Sequence, residues 1–146
     1  MTPPRILFDC EVLTPLFLAG ADPNGSPELR APSIRGALRW WYRALLGGRG
    51  LTDLAALREA EQSVFGNTGR ASPVRLRVLP YEVAEQGQSS KQIQKLSESN
   101  TGTAYLWHFV QAGDNDRKHI APGARFEMQL LAKPGDEEAL EEAAAA

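Results

Sequence analysis

Residues 29–47 read Leu-Arg-Ala-Pro-Ser-Ile-Arg-Gly-Ala-Leu-Arg-Trp-Trp-Tyr-Arg-Ala-Leu-Leu-Gly, and no other stretch limits the fold so tightly. Pro32 and Ser33 followed by a proline-free run and a Gly47-Gly48 pair predict a helix with Ser33 as N-cap and Gly47 as its left-handed C-terminal residue. At 100° per residue, Ile34, Leu38, Trp41 and Leu45 share one side, the expected core face, and Arg35, Arg39 and Arg43 form a stripe beside it. No acid stands between Glu28 and Asp53, so Arg30, Arg35, Arg39, Arg43 and Arg49 have no counter-charge in the local sequence. Like charges one turn apart repel by a few tenths of a kcal/mol per pair, so either an external anion or acids distant in sequence complete the stripe. Guanidinium forks suit the oxygens of phosphates. Free N–H groups and the dipole at Ser33 to Gly36 attract an anion to the same end.

The flanking segments predict strands. Ile6, Phe8, Cys10 and Val12 alternate with Leu7, Asp9, Glu11 and Leu13; Val74, Leu76 and Val78 alternate with Arg75 and Arg77. Residues 104–110 read as a strand with Tyr105, Trp107 and Phe109 on one face, suited to base stacking or to core packing. Phe126, Met128 and Leu130 mark another strand within residues 124–132. Thr52 predicts the cap of a second helix from about Asp53 to Val64, stopped by Gly66. Leu54, Leu57, Glu61 and Val64 recur in it at helical spacing, while residues 58–62, with Glu59 and Glu61, read as its wet side. The loop 66–73 is rich in small donors around Arg70 and suits either an anion cradle or a plain turn. Asp136 predicts the cap of an acidic helix running on to Ala146. A long connection at residues 15–32 and a mobile polar insertion at about 84–103, with a short helix near Ile93 to Leu96, complete a single domain.

Composition narrows the function. The formal net charge of −2 conceals an acidic tail: residues 1–135 carry 16 basic against 13 acidic groups. That balance is too weak for a free-standing duplex-DNA binder but suits one patch of a larger binding surface. No long apolar run predicts a membrane span, and the proline-broken start Met1 to Arg5 is no signal peptide. One cysteine, Cys10, forms no internal disulfide and reads as a small core residue in a cytoplasmic protein. His108, expected in a strand, and His119, expected in a turn, are not spaced with other ligands, so neither a metal nor another cofactor is predicted.

Leu13-Thr14-Pro15-Leu16-Phe17 with Gly20-Ala21-Asp22-Pro23, the Leu29–Trp41 block, Val64-Phe65-Gly66-Asn67-Thr68 and Ile120-Ala121-Pro122-Gly123-Ala124-Arg125-Phe126 together resemble the RAMP superfamily of CRISPR-associated proteins. Among its branches the likeness is to the type III-B, or Cmr, effector complex. The resemblance implies an α+β fold, a ferredoxin-like or RNA-recognition-motif-like antiparallel sheet backed by helices. The family's closing strand after the helix at Asp136 has no counterpart here, so the sheet is expected to be incomplete. It also implies a non-catalytic subunit that holds the backbone of guide RNA, target single-stranded RNA or both beside other RAMP subunits in antiviral defence. The resemblance implies that the helix from Ser33 to Leu46 and its adjoining loops face RNA; with the arginines read above, Arg30, Arg35, Arg39 and Arg43 are expected to contact phosphates, Ser33 and Gly36 to offer backbone donors, and Arg70, Arg75 and Arg77 to extend the path. Two alternatives stay open: an endoribonuclease holding Mg²⁺ through Asp22 or using His108 or His119 as general base, and an architectural adaptor whose arginines meet acidic neighbours.

Overall fold

The computed structural model describes residues 3–22, 25–80, 88–89 and 118–146. Along the chain lie β1 (Arg5–Glu11), α1 (Ala31–Gly48), α2 (Leu54–Phe65), β2 (Val74–Pro80), β3 (Gln88–Ser89), β4 (Lys118–His119), β5 (Arg125–Ala132) and α3 (Glu137–Ala144). β1, β5 and β2 form a three-stranded antiparallel sheet with β5 in the middle. Hydrogen bonds from Ala132 N to Pro4 O (3.0 Å) and from Val12 N to Ala124 O (2.9 Å) adjoin the ends of β1 and β5. The protein is therefore α+β with the expected ferredoxin-like sheet.

The chain falls into two compact units. The first comprises residues 1–9, 31–79 and 127–146. Its core joins Tyr42 of α1, Val64 and Phe65 of α2, Val74 and Leu76 of β2, Leu130 and Ala132 of β5, and Leu140 and Ala143 of α3. Strand alternation puts Arg75, Arg77 and Leu79 in solvent while Val74 and Leu76 are buried, as the period-two pattern requires. The second unit comprises residues 10–30 and 80–126. There Leu16 and Ile120 exchange hydrogen bonds (3.1 and 2.9 Å), and Gln88 and Ser89 pair antiparallel with His119 and Lys118. The only described part of the insertion expected to be mobile is thus a short paired strand. His119 lies in that pairing rather than in a turn, 1% exposed, with its ring 5.4 Å from that of Phe17. The expected strand at 104–110, its aromatic row, His108 and the helix near residue 93 lie outside the described residues.

Several local expectations are corrected. α1 begins at Ala31, so Ser33 stands inside the first turn and is not the N-cap. Pro32 fits there because a first-turn residue has no intrahelical acceptor for its N–H. Asp53 rather than Thr52 caps α2, its carboxylate accepting from Ala56 N at 2.8 Å. Asp136 occupies the N-cap position of α3 but makes no side-chain cap bond, and that helix ends at Ala144. Leu54, at the start of α2, is 80% exposed.

The largest correction concerns the rotation of α1. Trp41, expected in the core, is 55% exposed, whereas Tyr42 is buried. Tyr42 can be buried because its hydroxyl donates to Glu142 Oε2 of α3 at 2.7 Å, leaving no unsatisfied polar group. Burial and that carboxylate together push the phenol well above its ordinary pKa. The rotation carries Trp40 and Trp41, packed edge-on at 4.7 Å, to the solvent side and draws the arginine stripe half inward.

Candidate nucleic-acid interface

The inward rotation of α1 places its stripe over α2, and the two helices with the following loop enclose a cavity of about 930 Å³ in the first unit. Six arginines line it: Arg35, Arg39 and Arg43 from α1, Arg58 from α2, Arg70 from the loop and Arg75 from β2. One acid, Glu61, lines it with them. A smaller cavity of about 290 Å³, bounded by Ala31, Pro32, Arg35, Gly36 and Arg39, continues along the start of α1.

Glu61 changes the reading of the stripe. Its side chain is 8% exposed; Oε1 accepts from Arg39 Nε at 2.5 Å, and Oε2 accepts from Arg43 Nη1. Of the two partners that the sequence leaves open, an external anion or an acid distant in sequence, Arg39 and Arg43 have the second: Glu61 lies one helix away, among the residues of α2 expected on its wet side. Burial pushes the Glu61 carboxyl up, but the hydrogen bonds from Arg43 and Arg39 outweigh it and hold the group below the ordinary carboxylate range. Arg39 and Arg43 still expose 32% and 41% of their side chains. Each guanidinium carries five N–H donors, so pairing with a single carboxylate leaves most of them available.

Among the described residues Arg35, Arg58, Arg70, Arg75 and Arg77 make no ion pair. Arg77 is exposed on the sheet but does not line the cavity. Arg30 lies in the second unit, 4.0 Å from Glu28 and donating to Ala19 O at 3.5 Å. The structure thus brings together Arg35, Arg39, Arg43, Arg70 and Arg75 and leaves Arg30 and Arg77 apart from them.

The two backbone donors are corrected in part. Ser33 keeps a first-turn N–H, but Gly36 is the sixth residue of α1, and its N–H belongs to the helical ladder. The loop after α2 also turns out to be a closed turn rather than an open cradle. Asn67 Oδ1 accepts from Gly69 N and Arg70 N, both at 2.8 Å, and Ser72 Oγ donates to Val64 O at 2.8 Å. Its contribution is the position it gives Arg70.

Arg58 and Glu61 were missed as site residues. The signal was present: an acid in the repeat Leu54, Leu57, Glu61, Val64 falls where side chains are buried, and a buried carboxylate needs cations around it. Asp22 is exposed in a turn where Gly25 N donates to Asp22 O at 3.2 Å. Among the described residues, no group of three or more His, Cys, Asp or Glu is placed to hold a metal ion, and no helix is long and apolar enough to cross a membrane.

A sheet backed by helices, with an arginine-lined cavity between two of them, makes this an α+β protein with a basic cleft. The chain belongs to the RAMP superfamily, whose family model matches residues 9–145. It is similar to two proteins of Pyrococcus furiosus. It is 46% identical to CRISPR system Cmr subunit Cmr1-2 over 71 residues, covering 49% of this chain and 37% of the relative. It is 32% identical to Cmr1-1 over 126 residues, covering 84% of this chain and 36% of the relative. The crystal structure of Cmr1 from P. furiosus in its apo form superposes with a TM-score of 0.68 and 29% identity, over 94% of this chain and 40% of that one. The chain spans little more than a third of the length of these curated relatives.

Proposed function

We propose that the protein is a non-catalytic RNA-binding subunit of a Cmr-type CRISPR effector, in which the backbone of guide or target single-stranded RNA crosses the arginine-lined cavity beside other RAMP subunits. The observation that carries this reading is the charge of that cavity: six arginines against one glutamate, around a space open to solvent. A phosphodiester is the ligand such a surface accepts best, because each of its anionic oxygens can take a guanidinium N–H. The names of the relatives support the assembly, and the resemblance of the arginine-tryptophan block supports RNA as the ligand. Contacts of this kind bind backbone and carry no base identity, so binding is indifferent to sequence and weakens with salt.

The test is fluorescence anisotropy of labelled single-stranded RNA against the chain across a potassium chloride series. Arg35→Glu and Arg75→Glu are each expected to weaken binding roughly tenfold and to flatten the plot of log K against log salt by about 0.7 for each phosphate no longer neutralised. Unchanged affinity and slope in both variants would remove the assignment. The outcome favouring an adaptor is loss of subunit association with RNA binding intact.

A further inference from the structure

Glu61 stands where a binding site for polyanions should have no carboxylate, and it is the most buried charged group of the described residues. Two guanidinium groups share it, one oxygen each. Arg39 places both Nε and Nη2 on Oε1 at 2.5 Å, and Arg43 places Nη1 on Oε2. The carboxylate lines the cavity but is 8% exposed, against 32% and 41% for the two arginines, so the cations present more surface to solvent than the acid that holds them. Arginine side chains one turn apart would otherwise repel and sweep through many rotamers. Fixing them beforehand removes the ordering cost that a ligand would have to meet.

Building on the RNA-binding reading above, we propose that Glu61 is a positioning residue of the anion site: its two oxygens hold Arg39 and Arg43 side by side, with their remaining N–H donors presented to one phosphate of an RNA backbone. Glu61 itself touches no ligand and acts through the two arginines. Its role opposes its charge. Seen as a bare charge, Glu61 repels RNA, and its removal should tighten binding; seen as a clamp, its removal loosens two donors and weakens binding.

The two effects have opposite signs, and Glu61→Gln separates them. With a labelled single-stranded oligouridylate as probe, Glu61→Gln is expected to weaken binding about three- to tenfold, the cost of reordering one or two long side chains, although it adds one net positive charge. Glu61→Asp, which keeps the charge but withdraws the carboxylate by one methylene, is expected to weaken binding as well, and it serves if Glu61→Gln does not fold. In a background of Arg39→Ala with Arg43→Ala, the Glu61 substitutions should have no further effect, since the residue acts only through those two. Tighter binding by Glu61→Gln with a steeper salt slope would overturn the proposal and make Glu61 an electrostatic brake. Loss of binding that persists undiminished in the double-alanine background would overturn it too. If the unsubstituted chain binds no RNA, the RNA-binding reading fails and this inference falls with it; if that chain binds and Glu61→Gln does not differ from it, only the positioning role is lost.

Discussion

Gly66 and Gly36 make opposed predictions from the same substitution. Gly66 ends α2 with φ 72° and ψ 178°, a backbone region that side-chain-bearing residues occupy at a cost of about 1–3 kcal/mol. A Cβ built there lies 2.5 Å from Ser72 N and 2.6 Å from Arg70 O. Both are backbone atoms of the closed turn, so relief requires moving the turn rather than a side chain, which adds an overpacking cost of ~1–3 kcal/mol. Gly66→Ala should therefore cost ~3 kcal/mol or more, roughly a 10 °C drop in Tm for a chain of this size. Gly36 lies in the middle of α1 with nothing within 4 Å of an added Cβ, so Gly36→Ala should stabilise by about 0.5–1 kcal/mol. Urea titrations followed by far-UV circular dichroism, with thermal melts alongside, measure both. Because the turn also sets the place of Arg70, a folded Gly66→Ala protein should bind single-stranded RNA more weakly, whereas Gly36→Ala should change stability first. A loss below about 1 kcal/mol at Gly66, or a loss of any size at Gly36, would refute the reasoning.

Two further predictions concern the polar contacts that set the rotation of α1. Tyr42→Phe removes the 2.7 Å bond to Glu142 and should cost about 0.5–1.5 kcal/mol by denaturant titration, with a small effect on RNA affinity because Tyr42 lines no part of the arginine cavity. Glu61, whose folded pKa is depressed, contributes stability that is fully present above the unfolded glutamate value of about 4.3 and is lost as pH falls through the folded value. The difference in urea midpoint between the unsubstituted chain and Glu61→Gln should accordingly be constant near neutrality and shrink below about pH 4.3. A difference that does not change down to pH 3 would show that the pairing with Arg39 and Arg43 does not stabilise the fold.

Local pattern carried much of the architecture. The period-two alternation of β1, β2 and β5 placed Ile6, Phe8, Leu76 and Leu130 on the inner face because a strand has only two faces to choose from. Gly66, read as the stop of α2, ends that helix at a conformation that glycine tolerates. The arginine stripe was visible as spacing, and five of the nine residues predicted to bind RNA do line a common cavity.

What sequence alone left undecided was which way α1 turns about its axis. A helix face is continuous, so Trp41 and Tyr42, one residue and 100° apart, compete for the same side of the core. The choice fell to groups remote in sequence. Glu142 satisfies the buried Tyr42 hydroxyl, and Glu61 neutralises a half-buried Arg39 and Arg43, so the polar side of the helix turns inward and the tryptophans turn out. Periodicity counts apolar side chains along one segment and has no access to a carboxylate supplied by another helix. That is why α1 itself was legible from residues 29–47, while the partner of its arginines and the cavity they enclose existed only once α1, α2 and the turn at Gly66 had packed together.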